Sequence, residues 1–334
     1  MNLVCPTCRS VQDGRVESHA LDADFTCSGC GMNWPFLQIG AVRIPVLLAS
    51  ELDRAAALDS AREFLKRLEE GPAAIAQPAA GWLAEALQQA ATYVPAHWGR
   101  FAQPPLPAAD LSWIDDWLPP DADLPQGPVL ALGSGPGGEL PHMVRGQRAI
   151  VALDSHLPLL AFAAAAADQA SFAMPYRPAA EELSTRPLAL PAAERQALST
   201  VLPCCANALD PPFQAESFAA IVMCNVIDSV ADPLTLLGQC EALLKPGGAL
   251  LLSSPYHWQE AVTPHDRRPQ RLWPEGIDIR VGMEALLTGQ VLPGFLDSLS
   301  LQRSEPALPW RMTLHPGVAV HYAMHVVLLR KAIE

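Results

Sequence analysis

Four of the eight cysteines stand in two Cys-x-x-Cys pairs, Cys5-Pro6-Thr7-Cys8 and Cys27-Ser28-Gly29-Cys30. Each pair makes a tight knuckle whose two thiolates point at one ion, and two knuckles complete a tetrahedral sulfur site. The surrounding segment is too short to bury a core of its own, so a bound ion would hold it together. Cys5, Cys8, Cys27 and Cys30 are therefore expected to hold a structural Zn2+, with every position filled by protein and none left for water or substrate. The alternative for such pairs is a redox dithiol. Cys204-Cys205, by contrast, read as buried packing at a strand.

A second set of groups follows two apolar runs. Asn225 and Asp228 come after the run Phe218–Asn225, and Ser254, Tyr256, His257 and Trp258 come after the run ending at Leu252. In open α/β sheets ligands sit beyond the carboxyl ends of strands, which would place both groups around one site. Asp228, His257 and Tyr256 are the candidate catalytic residues, able to orient a substrate or take its proton. Each has a structural alternative. Asp228 could cap the helix at Asp232-Pro233, His257 could hydrogen-bond behind the strand, and Tyr256 and Trp258 could pack a core or lid. His321 and His325 fall on one face of the strand-like stretch Val318–Leu329 and read as sheet, not as a metal site.

The elements that would position these groups are legible in order. Val129-Leu130-Ala131-Leu132 is a short apolar strand entering Gly133-Ser134-Gly135-Pro136-Gly137-Gly138. Such a turn lets the backbone approach a ligand and aims a helix N-terminus at it. Ile150–Asp154 is a second strand whose terminal acid, Asp154, is placed for the two hydroxyls of a ribose. Asn207-Ala208-Leu209-Asp210 follows a third strand. The helix end and turn Leu243-Leu244-Lys245-Pro246-Gly247-Gly248 lead into a fifth.

This ordered series, over about residues 127–334, resembles the class I S-adenosylmethionine (SAM)-dependent methyltransferases. The resemblance implies an α/β, Rossmann-like seven-stranded sheet and SAM as cofactor. It assigns the cofactor to Gly133, Ser134, Gly135, Gly137, Asp154, Asn207, Ala208 and Asn225, with Asn207 and Ala208 at the adenine edge. The family often carries an acid two residues before the first glycine, where this chain has Ala131. The methionine end would then rest on Gly133, Gly135, a water and Asn225.

Two finer resemblances follow. Cys5-Pro6-Thr7-Cys8, Cys27-Ser28-Gly29-Cys30-Gly31, Trp34-Pro35 and Ile44-Pro45-Val46-Leu47-Leu48 resemble the small zinc-ribbon activator of tRNA and rRNA methyltransferases, which implies a scaffolding role and a surface for a protein partner. Val226–Pro233, Ser254–Glu260 and Thr263-Pro264 resemble the mercaptohistidine ring-nitrogen methyltransferases of ovothiol synthesis, with looser agreement at His97-Trp98-Gly99 and Pro309-Trp310. That family's Trp-Leu-Gly-Gly segment is replaced here by a longer run through Arg267, Arg268 and Trp273. The implied acceptor is a small molecule, imidazole or amino-acid-like, methylated on nitrogen. The alternatives are an rRNA or tRNA base methyltransferase, against which the chain lacks an Asn-Pro-Pro-Tyr-type tetrad after strand four, and a non-catalytic SAM-binding partner protein.

Three domains are expected: a ribbon over 1–49, a helical lid and linker over 50–126, and the methyltransferase domain over 127–334. A helix is predicted from Ser50, as cap, to Glu70, with Leu52, Ala56, Leu58, Phe64, Leu65 and Leu68 on its apolar stripe. A second is predicted over Ala79–Thr92, and a short one carries Trp113 and Trp117. Around Tyr93, His97 and Trp98 the chain is expected to fold over the strand ends and form an aromatic chamber with Tyr256, His257 and Trp258. The balance of charge bears on partners. With 22 basic against 35 acidic residues, a net charge of −13, the chain lacks the cationic surplus that binds phosphates and disfavours nucleic acid. No apolar run has the length of a membrane span, and the N-terminus reads as no signal peptide, so a cytoplasmic protein with reduced thiols is expected.

Overall fold

The computed structural model describes residues 3–12, 15–144 and 148–333. Its centre is a seven-stranded sheet of β1 (Val129–Leu132), β2 (Ile150–Asp154), β3 (Val201–Cys205), β4 (Phe218–Cys224), β5 (Leu244–Ser254), β6 (Leu299–His315) and β7 (Val318–Lys331), in the spatial order β6-β7-β5-β4-β1-β2-β3. Strands β1 to β5 pair in parallel, while β7 pairs antiparallel with both β5 and β6. The order reverses between β1 and β4, and that switch point is where such sheets open a ligand crevice.

All four residues of β1 are buried, as strands covered on both faces require. Alternation divides them between two cores. Val129 and Ala131, with Ile150 and Ala152 of β2, pack on α1 (Glu51–Glu70), α2 (Gly81–Trp98) and α3 (Leu157–Asp168). Leu130 and Leu132, with Val151 and Leu153, face the opposite layer. There α4 (Pro233–Leu243) contributes Leu236, Leu237 and Cys240, and α5 (Ile279–Leu287) contributes Met283, Leu286 and Leu287.

The N-terminal segment closes the β3 edge. Its hairpin Phe36–Ile39/Val42–Pro45 leads into Val46, which bridges to Cys205 in parallel, and the Leu47 amide donates to the Cys205 carbonyl at 2.7 Å. Val46 and Leu48 enter one core and Leu47 the other, as an added strand would. An edge that would expose unpaired backbone groups is thus covered.

Two helical expectations need correction. Ser50 caps α1, its Oγ accepting the Asp53 amide at 3.4 Å, but Leu52 is 81% exposed. The buried stripe runs through Ala57, Ala61, Phe64 and Leu68. Leu52 precedes Ala57 by five residues, about 140° round the helix, and so faces solvent. The second helix continues past Thr92 and through Pro95 to Trp98, because its last turns bury Val94, Ala96 and Trp98 against the core. Packing there outweighs the backbone hydrogen bond lost at proline.

Candidate functional site

The glycine turn is built for close approach. Gly133, Gly135 and Gly137 have φ of +73°, +51° and +79°, in the left-handed region. A Cβ at Gly133 would lie 2.4 Å from Val226 Cγ2, so the turn and the β4 exit are in direct contact. The amides of Gly133 and Ser134 donate to the Leu153 carbonyl at 2.8 and 3.1 Å. Asp154 accepts the Gly135 amide on Oδ2 and the His156 amide on Oδ1, both at 2.7 Å. The β2 acid therefore braces the turn. Ser134 Oγ is buried without a hydrogen-bond partner in the protein, an orphan that a bound polar ligand would satisfy.

Helix α2 clamps this turn from above. Trp98 Nε1 donates to the Pro136 carbonyl at 2.8 Å, and the Gly138 amide donates to His97 Nδ1 at 3.0 Å. Burial, with Arg100 adding to it, pushes His97 down to about 4, so the ring is neutral near pH 7. His97 and Trp98 thus serve the glycine turn directly.

The β4 and β5 exits meet at Asp228. Its Oδ2 accepts the His257 amide at 2.7 Å, and Thr263 Oγ1 donates to the carbonyls of Asp228 and Val230 at 3.4 and 2.7 Å. Asp228 is 5% exposed, and burial raises its pKa above the ordinary carboxylate value. Asn225 and Tyr256 have φ of +56° and +53°, where residues other than glycine are uncommon. The amide of Asn225 donates to the Ser253 carbonyl at 2.8 Å. Strained backbone therefore sits at both strand exits.

The three aromatic residues after β5 separate. His257 is exposed, with its ring centroid 5.9 Å from that of Tyr322 on β7. Tyr256 and Trp258 stack on each other, centroids 6.1 Å apart, in the core on the α5 side. The Tyr256 hydroxyl is engaged by His325 Nδ1 at 2.9 Å, and His325 Nε2 meets Glu284 Oε1 at 3.1 Å. His325 is thus a buried member of this network.

Groups from outside the strand exits also belong to this region. The pKa of Tyr93 on α2 is raised by desolvation and then by Tyr322, Asp228 and Asp154, which places all four groups in one electrostatic neighbourhood. The distal β6–β7 hairpin pairs Trp310 with Tyr322, and Trp310 meets His97 edge-on at 6.4 Å. Tyr322 and Glu139 escape a motif reading. Tyr322 belongs to a plain β alternation, and Glu139 follows the glycine run without a recognisable role.

Asn207 and Ala208 follow β3, where Asn207 Oδ1 accepts the Leu209 amide at 2.9 Å. The next turn is tied to the N-terminal segment: Arg9 pairs with Asp210 and the Pro211 carbonyl, and the Val4 amide donates to the Pro212 carbonyl at 3.0 Å. In that segment the sulfurs of Cys5, Cys8, Cys27 and Cys30 all lie within 4.8 Å of one another. Cys5–Cys30 and Cys8–Cys27 are 3.9 and 3.6 Å apart. Tetrahedral zinc with Zn–S of about 2.3 Å requires S–S edges of about 3.8 Å.

Residues 130–252, from β1 into β5, match the family model described as "Methyltransferase domain". The strand order and this match agree: the chain carries a class I methyltransferase fold, and residues 130–252 match a methyltransferase domain within it. No protein of curated function matches the chain by sequence. Solved structures similar to it include a methyltransferase from Bacillus halodurans, at 12% identity and a TM-score of 0.40, covering 67% of this chain and 99% of that one. Another is a methyltransferase in complex with the Haloferax volcanii Trm112 methyltransferase activator, at 13% identity and a TM-score of 0.41, covering 75% and 96%. A third is Haemonchus contortus phosphoethanolamine N-methyltransferase 2 with phosphomonomethylethanolamine and S-adenosylhomocysteine, at 19% identity and a TM-score of 0.29, covering 43% of this chain and 27% of that one. Among the described residues no helix is long and apolar enough to cross a membrane.

Proposed function

We propose that this enzyme transfers the methyl group of SAM to nitrogen on a small, flat, imidazole or amino-acid-like acceptor. The observation that carries the reading is that Tyr93 and Tyr322 share the surroundings of Asp228, whose carboxylate accepts the His257 amide while the His257 ring lies 5.9 Å from that of Tyr322. Stacking fixes the plane of a ring, and a few polar groups then fix the reacting nitrogen.

SAM would lie across the glycine turn, with its ribose at Asp154, its adenine beside Asn207 and Ala208, and Ser134 and Asn225 completing its surroundings. Methyl transfer from the sulfonium is an in-line displacement. The acceptor nitrogen forms the new C–N bond as the C–S bond breaks, leaving S-adenosylhomocysteine. The protein's task is alignment and exclusion of water. Where the acceptor nitrogen carries a proton, Asp228, kept ionisable by the His257 amide, would receive it. His257 would orient the ring. Tyr256, with its hydroxyl engaged by His325, would hold the β5 exit.

The four cysteines would hold one structural zinc in an N-terminal ribbon over 1–49. The helical layer over 50–126 would roof the methyltransferase domain over 127–334, and the exposed ribbon face would suit a protein partner. RNA base methylation is the second reading, favoured by the ribbon and opposed by the net charge of −13. The test is turnover with labelled SAM against amino-acid, imidazole and RNA acceptors, with mass spectrometry of the product. Labelled small-molecule product supports the proposal. Label in RNA alone, or SAM binding with no transfer, would overturn it.

A further inference from the structure

Glu139 is the buried acid that the proposed chemistry leaves unexplained. It follows the glycine turn, precedes the short helix Leu140–Met143, and is 4% exposed. Its nearest ionisable neighbour is His97, with Nδ1 3.6 Å from Glu139 Oε2. That nitrogen already accepts the Gly138 amide hydrogen at 3.0 Å. A backbone N–H can only donate, so Nδ1 presents a lone pair there and brings no positive charge to Glu139. Among the described residues no lysine or arginine pairs with this carboxyl group. A carboxylate taken out of water without a counter-charge is costly, and burial accordingly pushes Glu139 up to about 8, with Asp154 adding to the rise.

The position of this acid narrows what could pair with it. Its charge is felt by Cys224, at the end of β4, and it in turn feels Asp154, at the end of β2. Between those strand ends lies the β1 exit at Gly133, and Glu139 follows the glycine turn directly after Gly138, buried beside the His97 ring that holds that turn. Ala131, the last position but one of β1, is 1% exposed and supplies no charge there. The glycine turn therefore has beside it one acid tied to the amides of two other residues, Asp154, and one without a counter-charge among the described residues, Glu139. A ligand bearing both a ribose and a primary ammonium would match the two.

We propose that Glu139 binds the α-ammonium of the methionine moiety of SAM, an assignment that rests on reading the crevice as the SAM site. The free enzyme at neutral pH holds Glu139 largely as the carboxylic acid. Arrival of the ammonium favours the carboxylate, and the displaced proton leaves to solvent. Affinity then rises with pH toward about 8, where the ligand's own α-amino group begins to lose its proton and the gain ends.

The experiment is calorimetric titration of the whole protein with S-adenosylhomocysteine and with its deaminated analogue. It is run in buffers of different ionisation enthalpy and repeated with Glu139→Gln. The expected results are release of about one proton per S-adenosylhomocysteine bound by the wild type at pH 7, and affinity about 10- to 100-fold weaker for Glu139→Gln. The variant should no longer distinguish the deaminated analogue. Glutamine retains an N–H donor, so unchanged affinity in the variant would mean a neutral donor role and would overturn the ammonium assignment. No proton release by the wild type would overturn it too, without recourse to any variant. Absence of S-adenosylhomocysteine binding by the wild type would instead overturn the cofactor reading, and this assignment with it.

Discussion

His97 on α2 and Gly138 in the glycine turn are joined by a 3.0 Å hydrogen bond from the Gly138 amide to the imidazole Nδ1. The ring is held neutral, its pKa pushed to about 4 mainly by burial. An unfolded chain would bind a proton near pH 6.5, and the folded chain binds it only near 4. The stability contributed is therefore present above about pH 6.5 and lost as pH falls toward 4. This group should cost on the order of 3 kcal/mol over that interval. Urea denaturation at pH 7 and pH 4.5 should show a steeper loss for the wild type than for His97→Gln. Equal losses would count against a neutral, buried His97.

Zinc should co-purify at one ion per chain. Cys27→Ser should abolish it, because Cys27 is a buried member of the sulfur cluster. The consequence reaches the catalytic fold, since the same N-terminal segment covers the β3 edge through Leu47 and Cys205. Metal analysis combined with hydrogen exchange should show faster exchange at the Leu47 amide after chelation. Full protection in metal-free protein would separate the cysteines from the edge.

Asp154→Ala should weaken SAM binding by about 1–3 kcal/mol, the scale of a lost charge-assisted hydrogen bond. The same change removes the acceptor for the Gly135 and His156 amides, so part of the loss would come from a loosened turn. Asp154→Asn, which keeps an acceptor oxygen, should recover part of the affinity. Calorimetry showing the wild-type value in folded Asp154→Ala would remove Asp154 from the cofactor site.

Asp228→Asn tests the proposed proton acceptor. The asparagine carbonyl can still accept the His257 amide, so the fold and the acceptor KM should change little. Turnover should fall by roughly 100- to 10,000-fold, the usual contribution of a positioned base. Burial raises the Asp228 pKa, so wild-type turnover should decline as pH falls through that raised value, while the residual rate of the variant should lack this acid limb. A pH profile unchanged in shape would leave Asp228 a positioning role only.

The succession of strands along the chain, the glycine turn, the β2 acid and the cysteine knuckles were legible in the sequence because each depends on local rules. A left-handed turn demands glycine, a strand covered on both faces reads as a continuous apolar run, and thiolates that share an ion must come in closely spaced pairs. The ends of α2 were not legible, because nothing local overrides Pro95; the burial of Trp98 against the sheet does. Nor could the chain show that Tyr256 and His257, neighbours in sequence, turn to different surroundings, a core network with His325 for one and the ring of Tyr322 for the other. Tyr93, Tyr322 and Glu139 acquire their meaning from segments far apart along the chain. Their environment is set by how α2 and the β6–β7 hairpin close over the strand ends. Burial, and the charge state that follows from it, is a property of the assembled fold alone.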